Sequence, residues 1–117
     1  MKLNFRCKII RRRIALVIKS WISVKVPKAI RPVVYEALLN LSNDSDAVVK
    51  LTGIICLRQC IDDYEFELED FIPFVNATVG HCLKLLDEYE EFESKLCLLN
   101  TISVLVLRLE DQVYFIL

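Results

Sequence analysis

The sequence predicts an all-α chain, an α-solenoid segment built from antiparallel helix pairs stacked side by side. Three observations predict it. Only two Gly and three Pro interrupt 117 residues, which favours long regular elements over a turn-rich sheet. Apolar residues recur at three- and four-residue steps in five successive segments, the stripe of an amphipathic helix. Two of those segments open on a proline, Pro32 and Pro73, 41 positions apart.

The first segment, about residues 6–26, carries Ile10, Ile14, Val17, Ile18, Trp21 and Ile22, and Pro27 marks its end. It reads as the last helix of a preceding repeat. Residues 28–61 read as one full repeat. Pro32 sits where a first-turn proline is tolerated, and Val33, Val34, Ala37, Leu38 and Leu41 form the stripe of the second helix. The loop 42–45 (SNDS) is dense in side chains that accept hydrogen bonds from a helix N-terminus, so Ser45 or Asp46 is expected to cap the third helix. That helix carries Val48, Val49, Leu51, Ile54, Ile55, Leu57 and Ile61. Residues 69–109 read as a second repeat. Its fourth helix is expected from about Glu69 to Tyr89 with Pro73 in the opening turn, and its fifth from about Phe92 to Arg108. Residues 112–117 read as the start of a truncated helix.

Short links between helices favour antiparallel neighbours, and the internal period decides between a closed bundle and a stack. Lys50 and Lys95 are 45 residues apart and Arg12 lies 38 before Lys50. A period of about 40–47 residues in helix pairs marks HEAT/armadillo-type repeats. The inner helices align as Arg12-x-x-Ala15, Lys50-x-x-Gly53 and Lys95-x-x-Leu98, where the small residues permit close helix approach. Asp44 lies six residues before Lys50, the spacing at which loops of such repeats place an acid and a base to bond between adjacent repeats and set the register of the stack. Arg12, Asp44, Lys50 and Lys95 are therefore the expected inter-repeat ladder, with apolar faces supplying most of the stability.

Hydrophobic residues make up 55% of the chain and the mean hydropathy is +0.41. The longest uncharged stretches, Phe71 to Leu83 and Leu96 to Leu107, are shorter than the ~18–20 apolar residues of a membrane span. Basic residues precede Ile14 to Ile18 in the manner of a signal peptide, but Lys19 interrupts the apolar run and no small-residue cleavage site follows before Pro27. The five cysteines (Cys7, Cys56, Cys60, Cys82, Cys97) are odd in number and lie in apolar periodic segments, as buried free thiols of a reducing compartment do. An intracellular, soluble protein is expected. Net charge is −1, yet residues 1–31 hold ten Lys or Arg and no acid, while residues 32–117 hold five basic and sixteen acidic residues. Two different surfaces follow from that asymmetry.

Residues 10–15 (IRRRIA), 21–25 (WISVK), 31–37 (RPVVYEA), 48–50 (VVK), 62–66 (DDYEF) and 71–74 (FIPF) carry a more specific signal. Together they resemble the importin-β superfamily of nuclear transport receptors, over about residues 9–110, and look like a central piece of such a receptor. The resemblance implies carriage of protein cargo between cytoplasm and nucleus, including the nuclear envelope and pore, under control of the Ran GTPase. It implies nucleoporin contacts on the outer helices and cargo contacts on the inner ones. No Ran-binding motif maps to a position here. A HEAT scaffold or adaptor unconnected with transport is the alternative from another class.

Each candidate site residue has a plainer reading beside it. Arg11, Arg12 and Arg13 could form a nuclear-localisation or nucleic-acid patch, but consecutive helical residues point in different directions, so the inter-repeat ladder and a solvated surface are the plainer reading and no nucleic-acid partner is expected. The acidic stretches 62–70 and 87–93 could receive basic cargo segments, or be solvated turns. Tyr64, Phe66, Tyr89 and Phe92 lie among those charges, and with Trp21 they are candidate partner anchors; they could equally fold back on the core. Cys56, Cys60, His81 and Cys82 invite a metal or nucleophile reading, yet the Cys spacing is helical and His81 is the single histidine. No catalytic residue, metal or cofactor is expected. Apolar end faces predict that the chain in isolation self-associates or partly unfolds.

Overall fold

The computed structural model describes residues 7–22, 26–63 and 66–116, with side chains through Glu110. The elements run α1 (Lys8–Ile22), a 3₁₀ turn (Lys28–Ile30), α2 (Arg31–Ser42), α3 (Ala47–Ile61), α4 (Leu68–Phe71), a 3₁₀ turn (Ile72–Phe74), α5 (Val75–Glu88) and α6 (Phe92–Ile116). No strand occurs among the described residues. No described helix is long and apolar enough to cross a membrane. Helices α1, α3 and α6 form one layer, with α3 touching both of the others; α2 backs α3, and α5 backs α6. The result is a slab 49 × 33 × 20 Å, an open stack of helix pairs.

Local chemistry sets the element ends. Pro32 occupies the first turn of α2, where its missing N–H costs nothing. The Asp46 carboxylate accepts the Val49 N–H at 3.3 Å and caps α3. Two expectations are corrected. The fourth helix is not continuous from Glu69: the 3₁₀ turn at Pro73 separates a single turn, α4, from α5. A proline ring disrupts the helical ladder behind it, which explains the break. No separate helix starts at residue 112 either, because α6 runs unbroken through Ile116. Neither Gly nor Pro occurs after Gly80, so nothing local ends that helix.

Between the layers, Leu38, Leu41, Val49, Ile54, Cys56, Leu57, Ile61, Phe71, Cys82, Leu85, Leu98 and Leu105 form a continuous core. Tyr35 and Phe71 meet edge to face at 5.0 Å, with Phe66 and Phe74 completing an aromatic cluster that joins α2 to α4. Gly53 lets α3 lie directly on α2. A Cβ there would come within 2.8 Å of the Ser42 backbone nitrogen and 2.9 Å of the Leu38 carbonyl. Buried Thr52, Thr78 and Thr101 each donate to the carbonyl four residues earlier in their own helix, so the core holds hydroxyls without orphaned donors.

Candidate functional site: ladder and exposed faces of the inner helices

Ionic contacts cross the stack in sequence. Arg11 Nε meets the Asp44 carboxylate at 3.2 Å. Arg12 forks onto Asp46 with contacts of 2.9 and 3.0 Å, a bidentate pairing. Lys50 Nζ reaches Glu88 at 2.8 Å. On the outer edge Lys28 pairs with Glu67 at 2.5 Å. Arg11, Arg12 and Lys50 on the inner helices thus each reach an acid that lies just before the next inner helix. Of the expected ladder residues, Asp44 takes Arg11 of α1 and Lys50 takes Glu88 beside α6. Asp44 precedes α3 on the α1 side, whereas Lys50 projects from α3 toward the end of α5.

The contacts leave electrostatic marks. Arg12 holds the Asp46 carboxyl down at about 2, with the Val49 N–H adding to the effect against burial. Lys50 lowers Glu88 in the same way, and Lys28 lowers Glu67. Arg108, on α6, donates to the Ile61 and Asp63 carbonyls at 3.0 and 2.9 Å and lies 5.5 Å from the centre of the Phe66 ring. A neighbouring helix therefore satisfies the free carbonyls at the C-terminus of α3 and places a cation at its negative end.

The candidate aromatics separate into two groups. Phe66 is packed on Phe71 beneath Arg108, and the Tyr89 hydroxyl donates to the Ala47 carbonyl; both are structural. Trp21 is 47% exposed and Phe92 77%. Tyr64 lies outside the described residues. Lys95 is exposed on α6. Cys56, Cys60 and Cys82 are pushed up to about 11, 12 and 11, chiefly by burial, and remain thiols. Among the described residues no three His, Cys, Asp or Glu side chains gather around a possible metal position. His81 packs against the end of α2: Ser42 Oγ gives its proton to the Leu39 carbonyl at 2.7 Å and so accepts from His81 Nδ1–H at 2.6 Å.

Exposed apolar side chains fall into bands on the inner-layer helices. One band faces open solvent along all three: Ile9 and Leu16 on α1, Val48 on α3, and Leu96 and Leu107 on α6, with Leu51 and Ile55 half-buried between them. A second, Ile10, Val17 and Trp21, covers the far side of α1. A third, Leu99 and Val106, covers the far side of α6. Such patches on a monomer mark places where another surface docks.

No protein-family model matches the chain. Importin-11 from Homo sapiens and from Mus musculus is 34% identical over 108 residues, 92% of this chain. Importin beta-like protein KAP120 of Saccharomyces cerevisiae is 35% identical over 103 residues, 86% of this chain. A solved structure of Lph2, described as a novel bidirectional nuclear transport receptor in S. cerevisiae, matches with a TM-score of 0.75 and 34% identity across 86% of this chain. The chain is a segment of the importin-β family. It spans about a tenth of the length of those relatives, 11% of Importin-11 and 10% of KAP120. In this importin-β segment the match extends over α1, α3 and α6 together, so the ladder and the exposed bands belong to the family-like stretch.

Glu88 and Arg108 carry ladder or capping contacts that the sequence did not single out, and Arg11 was named only within the arginine triple. For Arg11 a signal was available. Arg11, Lys50 and Lys95 are each followed by apolar or small residues at +4, +7 and +11, a spacing that stacks all four on one helix face. By this criterion Arg11, rather than Arg12, occupies in α1 the place that Lys50 occupies in α3.

Proposed function

We propose that the chain is a protein-binding helical-repeat stretch of a nuclear import receptor, one that carries protein cargo between cytoplasm and nucleus under Ran control. The observation that carries this reading is the solvent-facing apolar band along α1, α3 and α6, inside a stretch similar to Importin-11 over 92% of the chain. An inner layer that is apolar and flanked by acidic turns suits cargo segments that combine apolar and basic residues. The outer layer, where Val33, Ile72 and Leu83 are exposed, suits the phenylalanine side chains of nucleoporin repeats. The complete product of the gene encoding this chain is expected to retain GTP-loaded Ran in a pull-down and to release a basic cargo when it does so. Indifference of that product to Ran sinks the transport reading. Replacing Val48 and Leu96 by Glu is expected to weaken cargo capture without unfolding the stack, since both side chains are already exposed; unchanged capture removes the inner band from the binding site.

A further inference from the structure

We propose that Lys19, Arg58 and Cys97 form an anion pocket on the inner face, which takes the carboxylate of an Asp or Glu flanked by apolar residues in a bound protein segment. The proposal deepens the reading of the inner layer as a binding surface and rests on it, but not on Ran control.

Both cations stand in the solvent-facing apolar band. Val48, Leu51, Ile55 and Arg58 follow one another at three- and four-residue steps, so Arg58 closes the stripe on α3. Lys19 lies three residues after Leu16 on α1. Both are half-buried, as is Cys97 on α6. Although they come from three helices, the three side chains converge. Burial pushes the Cys97 thiol up, while Arg58 and then Lys19 pull it down, which places both cations within electrostatic reach of the sulfur. Lys19 acts in the same direction on Cys56 of α3, so its ammonium leans toward α3.

Neither cation is neutralised. Arg11, Arg12 and Lys50 each meet an acid, whereas among the described residues Lys19 and Arg58 have no ion pair. Arg58 Nε is buried and donates to nothing. A buried N–H without an acceptor is rare in a folded chain, and this one calls for an acceptor from outside it. The acids nearest the inner helices, Asp44, Asp46 and Glu88, are already held by the ladder.

Charge and shape select the occupant. The open edge of the guanidinium, Nε with its neighbouring Nη, is a fork that matches a carboxylate side-on. Leu51 and Ile55 on the same stripe, with Leu16 and Leu96 on the flanking helices, offer apolar contact to the neighbours of that acid. A phosphoryl group brings up to two charges and three acceptor oxygens. Desolvating it on this apolar floor costs more than desolvating a carboxylate.

The test is a selection of displayed random short peptides on the complete product of the gene encoding this chain. Bound peptides are expected to carry an Asp or Glu with apolar neighbours. Arg58→Gln with Lys19→Gln is expected to abolish that preference while leaving any enrichment of basic residues, which the acidic turns would draw. The most enriched peptide, remade with Gln for its acid, is expected to bind at least about tenfold more weakly in fluorescence anisotropy, and Arg58→Gln to remove that difference. Arg58→Met is expected to leave the melting temperature of the chain unchanged or raised, because it removes an orphaned donor. A fall makes Arg58 structural and overturns the inference. Peptides enriched without an acid also overturn it and leave the inner-face reading standing, whereas no enrichment of any kind overturns both. Tighter binding of a phosphoserine version, or self-association of the chain that Arg58→Gln abolishes, overturns the assignment to a partner's carboxylate.

Discussion

Helices α3 and α6 carry nearly the same message and meet different fates. Each has a lysine near its start, then aliphatic residues at +4, +7 and +11. On α3 those residues are sealed beneath the next helix pair; on α6 two of the three face solvent. Amphipathic spacing tells a helix which side to hide, but a helix in an open stack has two neighbours to hide from. The number present decides how much is buried. Burial, not pattern, then sets the energetic weight of each position.

The sharpest way to break this comparison is a matched pair of truncations. Leu57→Ala or Ile54→Ala in α3 is expected to cost about 2–5 kcal/mol in urea denaturation, as fully buried aliphatics do. Leu99→Ala in α6, at the place equivalent to Ile54, is expected to stay within about 0.5 kcal/mol of the unaltered chain. Similar losses at both would show that α6 is covered in solution.

A second contrast uses the two glycines. Gly53→Ala forces a methyl group onto the backbone of α2 and is expected to destabilise by about 1–3 kcal/mol, despite the better helix propensity of Ala. Gly80 on α5 has nothing within 4 Å of the same added atom, so Gly80→Ala is expected to stabilise by up to ~1 kcal/mol. Melting temperatures moving in opposite directions would support the difference between an inter-helix seam and an open surface.

The ladder can be separated from the core by pH. Asp46→Ala removes both the cap of α3 and the partner of Arg12, and the lost cap alone is worth about 0.5–2 kcal/mol. The folded carboxyl, held at about 2, lies below its ordinary 3.8. Its contribution is therefore complete above about 3.8 and is lost as pH falls toward 2. The acid unfolding curve of Asp46→Ala should converge on that of the unaltered chain in this window. Divergence there would place the stabilisation elsewhere.

The smallest effect is expected at the seam between α2 and α5. Burial, with Lys84 nearby, lowers His81 below its ordinary 6.5, so the neutral ring is favoured in the folded state. Stability is fully present above 6.5 and declines as pH falls below it. A small drop in melting temperature between pH 7.5 and 5.5, reduced in His81→Gln, is the expected result; an undiminished drop would assign it to another group.

Much of the fold was legible because it is written locally. The stripes, Pro32 at the head of α2 and the acidic cap of α3 act within a few residues, and the period fixed the layers. The partners in the ladder were less legible. Lys50 and Glu88 are 38 positions apart, and three adjacent arginines offer three directions, of which packing selects Arg11 toward Asp44 and Arg12 toward Asp46. Phe66 and Phe92 looked alike among charges, yet one lies beneath Arg108 and the other stands in solvent. No local signal distinguishes them, because the difference comes from a side chain 42 residues away from Phe66.

The sequence by itself determined that this chain is helical, where most helices begin and that they stack with a repeat near 40–47 residues; all of these depend on short-range spacing and backbone chemistry. Only the tertiary structure decided which base meets which acid, that Pro73 divides the fourth helix while α6 runs on to Ile116, and which apolar faces are covered. Those outcomes depend on distances across the stack. Equal helical faces therefore acquire unequal roles, with α3 sealed at its centre and α6 open at its edge.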